Sequence, residues 1–422
     1  MNKIKIRGGR PLKGQIEIGG MKNAALPILF ATIIANDTCV IENIPPVGDI
    51  EITLDILRTM GARVTRHSPT VVEIDTKDVR QGTSPNELVR RLRGSNYLIG
   101  AELARYGRAK VGTTGGCNFG ARPIDLHIKG FTALGAKVND EDGFVTAYTD
   151  GPLTGTKIVM DKISVGATAN VLLAASTADG MTVIENAAHE PHIVDLASFL
   201  NSCGANISGA GTSVIKVRGV KSLHGCHYTI IPDMIEAGTY MVAAAATGGE
   251  VTLKNVIPRH MEAVSAKLRE VGVSVTDDGE SITIRSSGRF QSTNIQAVPY
   301  PGFPTDMQPQ MTALLSLADG ISTVTENVFK KRFRYVEELQ RMGAAINVDD
   351  QNSTATIIGV KTLRGASVTA LDLRAGAAMV IAGLAAEGET LISDIDTIRR
   401  GYVDIVGKLS ALGADIELID TL

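Results

Sequence analysis

Apolar and polar positions along this chain change period in a fixed order, and the order repeats six times. Short alternating stretches such as Ile16-Glu17-Ile18, Lys157-Ile158-Val159 and Ser367-Val368-Thr369 predict strands. Each is followed by a run rich in Ala and Leu, for example Val171-Leu172-Leu173-Ala174-Ala175. A helix apolar on all sides is a buried helix. A second strand follows, as in Met181-Thr182-Val183-Ile184-Glu185-Asn186, Glu250-Val251-Thr252-Leu253-Lys254-Asn255 and Glu389-Thr390-Leu391-Ile392-Ser393-Asp394. The repeat closes on a second helix that ends at Gly and runs into an alternating strand. The junctions are Met60-Gly61-Ala62-Arg63-Val64, Leu134-Gly135-Ala136-Lys137-Val138, Cys203-Gly204-Ala205-Asn206-Ile207, Val271-Gly272-Val273-Ser274-Val275, Met342-Gly343-Ala344-Ala345-Ile346 and Leu412-Gly413-Ala414-Asp415-Ile416. Glycine there is the expected left-handed helix cap.

A period of about 70 residues across the whole chain constrains the architecture before any single residue is read. With 422 residues, one core is too few, and two domains of three units each is the natural division. Helices then lie inside with sheets around them. The remaining bulk properties mostly exclude. Net charge is −3 and no basic block suggests a nucleic-acid or membrane surface. The apolar stretch Ala24 to Ala35 contains Pro27 and Thr32 and is too short to span a bilayer. The opening Met1-Asn2-Lys3-Ile4-Lys5-Ile6 alternates like a strand and does not read as a signal peptide. Four cysteines without CxxC spacing suggest free thiols and a cytoplasmic location. Trp is absent and aromatics are few, so base-stacking platforms are not expected.

Candidate chemistry enters where the six copies differ. Aligning the strand-to-helix turns superposes Lys22, Arg93, Ser164, Glu236, Asp306 and Arg374, and Lys162 lies just before Ser164. A cation at a helix start faces the positive end of the dipole, which costs about 0.3–1 kcal/mol. Repeating that local error suggests an anion held jointly by helix N–H groups and basic side chains. Solvated turn residues are the plainer explanation at any one position. Three units about an axis would bring their helix starts together, which argues for a polyanionic ligand.

Two segments break the repeat. Gly112-Thr113-Thr114-Gly115-Gly116-Cys117-Asn118-Phe119-Gly120-Ala121-Arg122 surrounds one thiol with glycines, which predicts an exposed, mobile loop. Arg122 is placed to lower that thiol's pKa, fitting a proton donor or nucleophile; the plainer explanation is an incidental loop cysteine. Cys39, Cys203 and Cys226 read as packing residues. Phe303-Pro304-Thr305-Asp306-Met307-Gln308 puts an acid where half the equivalents are basic. That carboxylate is either a proton acceptor or an ordinary helix N-cap.

Gly20-Met21-Lys22-Asn23-Ala24, Gly115-Gly116-Cys117-Asn118-Phe119-Gly120-Ala121-Arg122-Pro123, the Asp306 segment and Arg400-Gly401-Tyr402 together resemble the enolpyruvyl transferases that act on UDP-N-acetylglucosamine. The resemblance runs from Lys3 to Ile416. Met21 is bulkier than the small residue expected there, and Asn118-Phe119 is a variant of the usual loop. The family implies a two-domain inside-out α/β barrel built from six repeated units, with buried helices surrounded by sheets. It implies an N-terminal domain of residues 22–231 and a C-terminal domain of residues 1–21 plus 232–422, with the active site in the cleft between them.

The implied reaction moves the enolpyruvyl group of phosphoenolpyruvate to the sugar 3-hydroxyl and releases phosphate, in peptidoglycan precursor synthesis. It needs no metal or organic cofactor. By resemblance, Lys22, Arg93, Arg122, Arg374 and Arg400 hold the phosphate and carboxylate of phosphoenolpyruvate, for which the planar arginine fork is suited. Cys117 protonates the methylene carbon and is the expected target of the epoxide fosfomycin. Asp306 takes the hydroxyl proton. Asn23, Pro123, Ile124, Asp125, Leu126, Lys162, Ser164, Val165, Gly166, Val328 and Arg332 complete the expected substrate contacts. The partners are then these two small molecules, with no nucleic acid and no membrane insertion. The shikimate-pathway enolpyruvyl transferase is the nearest rival, and its substrate carries no uridine. An inactive paralogue serving as a binding or regulatory protein is a rival of a different class, and the intact set of Lys22, Cys117, Asp306 and Arg400 argues against it. A nucleic-acid end-processing enzyme of related fold is disfavoured by the near-neutral charge balance and the scarcity of aromatics.

Overall fold

The computed structural model describes residues 2–82, 84–113 and 124–420. The six junction glycines, Gly61, Gly135, Gly204, Gly272, Gly343 and Gly413, all adopt positive φ, between 93° and 110°. Each lets the chain leave a helix and enter a strand at once, a conformation that a Cβ would penalise. The apolar runs form helices Lys22–Ala35, Tyr97–Tyr106, Val165–Ala175, Met234–Ala246, Gln308–Leu315 and Leu373–Ala385. Every residue of Lys22–Ala35 except Asn23 is buried, and Met234–Ala246 and Gln308–Leu315 are buried throughout. No helix among the described residues is long and apolar enough to cross a membrane.

The fold is mixed α/β, and the described residues divide into two compact units. One unit holds residues 2–19 and 232–420, with three four-stranded sheets and a two-stranded one. The other holds the described residues within 20–231, with two four-stranded sheets and a three-stranded one. In the first unit the N-terminal strand Asn2–Arg7 lies between Glu389–Ser393 and Asp415–Asp420, antiparallel to both.

Three of the buried helices join two strands that pair in parallel with each other. These are Lys157–Val159 with Met181–Glu185, Asn294–Ala297 with Ile321–Glu326, and Ser367–Thr369 with Glu389–Ser393. Two other repeats exchange strands. Lys13–Glu17, which precedes helix Lys22–Ala35, pairs with Glu250–Lys254. His227–Thr229, which precedes helix Met234–Ala246, pairs with Thr38–Glu42. Asparagine side chains mark both arrangements. Asn186 donates to the Met160 carbonyl within its own repeat, whereas Asn43 donates to Ile230 and Asn255 to Ile18, 187 and 237 residues away.

Candidate active site

In the unit holding residues 232–420, three helix starts are packed together. Gly238 sits where a Cβ would lie 2.8 Å from the Met307 sulfur, so the helix from Met234 closes onto the Asp306 turn. Asp306 lies in a 3-10 turn, Thr305–Met307, ahead of helix Gln308–Leu315. Its carboxylate caps no helix. Arg332 Nη2 donates to Oδ1 at 2.9 Å, and Arg374 donates through Nε and Nη2 to Oδ2 at 3.2 and 3.1 Å. Both guanidinium side chains are almost fully buried, 3% and 5% exposed, while the Asp306 side chain keeps 28% exposure. Burial pushes the Asp306 carboxyl up, but the charges of Arg374 and Arg332 outweigh it and hold the acid well below the usual carboxylate range. The N-cap reading of Asp306 is therefore replaced by a doubly paired carboxylate.

Local sequence explains how the arginines are aimed. Asp372 caps helix Leu373–Ala385 through the amides of Arg374 and Ala375, fixing Arg374 in the first turn. Lys331, in a left-handed conformation, starts the short 3-10 segment Arg332–Tyr335. The Arg400-Gly401-Tyr402 segment presses on the same helix start. A Cβ on Gly401 would meet Leu373 Cδ2 at 2.6 Å, and Arg374 stands 5.5 Å from the Tyr402 ring centroid. Tyr402 is tied in turn to Thr239 Oγ1 at 2.8 Å and to Gln310 Nε2 at 3.4 Å. Val328 is exposed beside the Glu326 carboxylate, which accepts the Val328 and Phe329 amides and the Thr305 hydroxyl.

In the unit formed within residues 20–231, three helix starts are likewise packed together. Lys22, the first residue of its helix, is buried and donates from Nζ to Asp49 Oδ2 at 2.9 Å. Met21 is buried at the N-cap, and its carbonyl accepts the Ala24 and Ala25 amides. Gly94, next to Arg93, lies where a Cβ would be 3.1 Å from Leu26. Arg93 opens the 3-10 segment Arg93–Asn96 rather than an α-helix. Asn170 bridges that segment to His127, donating to the Asn96 carbonyl at 3.0 Å with His127 Nδ1 at 2.9 Å. Burial first and the Arg93 charge second lower the His127 pKa to about 4, leaving the ring neutral at pH 7. Gly166 stands against that ring; a Cβ there would be 3.2 Å from Cε1 and Nε2. Ser164 caps helix Val165–Ala175, accepting the Ala167 amide. Lys162 is exposed just before it, and Asn23 is half-buried. Ile124 and Asp125 open helix Asp125–Ala133, in which Leu126 and His127 are buried.

Cys117, Arg122 and Pro123 lie outside the described residues. Nothing in the sequence pattern announces Asp49 or the Asn170–His127 pair. Asp49 is the second residue of its helix, a common place for an acid, and nothing local ties it to Lys22.

The comparisons with known proteins agree with one another. The family model described as EPSP synthase (3-phosphoshikimate 1-carboxyvinyltransferase) matches residues 6–409. A UDP-N-acetylglucosamine 1-carboxyvinyltransferase of Clostridium botulinum is 54% identical over 99% of both chains. A second protein of that name, from Bacillus cereus, is 49% identical over 99% of this chain and 96% of its own. The chain belongs to this enolpyruvyl transferase family. A solved enolpyruvyl transferase from Streptomyces tendae superposes with a TM-score of 0.89 at 26% identity, covering 99% of this chain and 98% of its own. An EPSP synthase from Acinetobacter baumannii gives 0.77 at 20% identity over the whole of both chains and shares the fold. Membership makes the chain a transferase, and the relatives near 50% identity carry the nucleotide-sugar name rather than the shikimate one.

Proposed function

We propose that this protein transfers the enolpyruvyl group of phosphoenolpyruvate to the 3-hydroxyl of UDP-N-acetylglucosamine, releasing phosphate, as a step of peptidoglycan precursor synthesis in the cytoplasm. The observation that carries the reading is Asp306 held ionised by two buried arginines, in a chain whose relatives near 50% identity bear that activity in their names. A carboxylate so placed stays deprotonated at neutral pH and keeps an exposed edge for a hydroxyl.

In this reading Cys117 delivers a proton to C3 of phosphoenolpyruvate, which makes C2 electrophilic. The sugar oxygen bonds to C2 as Asp306 accepts the hydroxyl proton. Loss of a methyl proton and of phosphate from the resulting tetrahedral intermediate leaves the vinyl ether. Lys22, Arg93, Arg122, Arg374 and Arg400 serve the phosphate and carboxylate. Buried guanidiniums suit this role, because charge–charge attraction strengthens where water is excluded. Asn23, the segment Arg122 to Leu126, Lys162, Ser164, Val165, Asp306 and Val328 serve the nucleotide sugar, and Gly166 and Arg332 complete the substrate contacts. The N–H groups of helix Val165–Ala175 and Lys162 fit its diphosphate. The finer architecture that accompanies this reading is the inside-out barrel of six units, three to a domain. Burial of the six repeat helices and the sheet set of each unit support it.

Phosphate release from phosphoenolpyruvate tests the reading, with UDP-N-acetylglucosamine and shikimate 3-phosphate as separate acceptors. Release with the nucleotide sugar alone is expected. Release with shikimate 3-phosphate, or with neither acceptor from folded protein, overturns it.

A further inference from the structure

Three of the four cysteines converge far apart in sequence. Cys39 sits in strand Thr38–Glu42, Cys203 closes helix Pro191–Ser202, and Cys226 immediately precedes strand His227–Thr229. Their sulfurs all lie within 4.8 Å of one another, and Cys203 and Cys226 are 3.4 Å apart. The backbone builds this arrangement. Gly225 is pressed so closely on the Thr38 carbonyl that a Cβ would stand 1.9 Å from it, and the Val40 amide donates to the Cys226 carbonyl. The Gly225 amide donates to Asp37, and the His224 amide to the Cys203 carbonyl. One short segment is thus pinned both to the Cys39 strand and to the end of the Cys203 helix. Cys39 and Cys203 are fully buried and Cys226 is half-buried, which leaves one side open to solvent.

Packing alone does not require three sulfurs to meet. A metal–sulfur bond of about 2.3 Å places the sulfurs of a trigonal site about 4 Å apart, close to the spacing found. Thiolates without hard oxygen ligands select soft cations. We propose that Cys39, Cys203 and Cys226 form a trigonal thiolate site for one thiophilic cation of the zinc(II) or copper(I) class. Binding releases the thiol protons to solvent as the three metal–sulfur bonds form. The ion ties together three elements of one unit, the last of which leads into residues 230–231 at that unit's end. Cys226 is the half-buried member, through which an ion enters.

Full-length protein carrying Cys117→Ser has only these three thiols. It is reduced, stripped of metal, then given zinc(II) or copper(I) in separate arms and desalted. One retained ion per chain is expected in at least one arm, together with loss of native-state reactivity of all three thiols and a rise in Tm. The arm that retains the ion identifies the cation. Cys39→Ser and Cys226→Ser are made separately in the same background, with folding checked by circular dichroism. Each should abolish retention. No retention in either arm overturns the site, as does retention unchanged in a folded Cys226→Ser protein.

Discussion

Asp306 in one unit lies just ahead of a buried helix and Glu102 in the other lies within one, and their carboxyl pKa values are pushed in opposite directions. Asp306 meets two guanidiniums and is kept ionised well below the usual range. Glu102 is fully buried and, among the described residues, its carboxylate accepts hydrogen bonds only from backbone amides, those of Gly82 at 3.2 Å and Lys110 at 3.3 Å. Burial dominates there, and its carboxyl is pushed up to about 7. The contrast shows that enclosure by itself raises the pKa of an acid. Keeping an enclosed carboxylate ionised needs cations supplied from elsewhere in the fold, and Asp306 still retains an exposed edge.

The largest effect on this comparison is expected from Asp306→Asn, which removes the negative charge and leaves two buried guanidiniums facing each other. Turnover should fall about 100-fold or more, read as phosphate release, and stability should drop by roughly 3 kcal/mol in a denaturant titration. Turnover within a few-fold of the parent would remove Asp306 from the chemistry. Asp49→Asn applies the same logic to the other unit, where Lys22 is buried against one acid. It should cost about 3 kcal/mol for leaving an ammonium buried, and a loss below about 1 kcal/mol would mean that water reaches the pair.

Glu102→Gln sharpens the contrast through pH. The folded state keeps the Glu102 proton at pH values where the unfolded chain, near its ordinary 4.5, releases it. Stability from this group is complete below about 4.5, falls as pH rises toward about 7, and is flat above. Comparing unfolding midpoints at about pH 5 and about pH 8, the Gln variant should lack a drop on the order of 2–3 kcal/mol that the parent shows. Asp306 contributes with the opposite sign, its stabilisation being present above the usual carboxylate range and lost as pH falls below it. The smallest effect is expected at Tyr228, whose hydroxyl donates to Asp195 Oδ1 at 2.6 Å. Asp195 also accepts the Ile231 amide and is raised to about 6, chiefly by burial. Tyr228→Phe should cost about 1 kcal/mol, and an unchanged midpoint would show that Asp195 is satisfied without it.

Much of the repeat was legible because it is written in local terms. The junction glycines, the strands such as Lys157–Val159 and Ser367–Thr369, and the buried helices all follow from backbone conformation and apolar period. The Asp306 turn was legible as unusual but not in its pairing. An acid just before a helix is an ordinary cap in sequence, and its partners Arg332 and Arg374 are 26 and 68 residues away. Arg93 aligned with the helix starts yet opens a 3-10 segment, because alignment by period fixes position and not helix type. Cys39, Cys203 and Cys226 read as separate packing residues, since no spacing announces contacts across 23 and more residues.

The sequence by itself determined the left-handed glycine caps and the buried helices, because each depends on a few adjacent residues and on keeping apolar surface from water. Only the tertiary structure decided which strands pair. Lys13–Glu17 and His227–Thr229 each precede a buried helix as their counterparts do, yet each joins a sheet more than 180 residues distant in sequence. Alternating strands carry no label for their partner, so the path of the whole chain makes that choice. The same path, rather than any motif, sets two arginines around one aspartate and three thiols around one point.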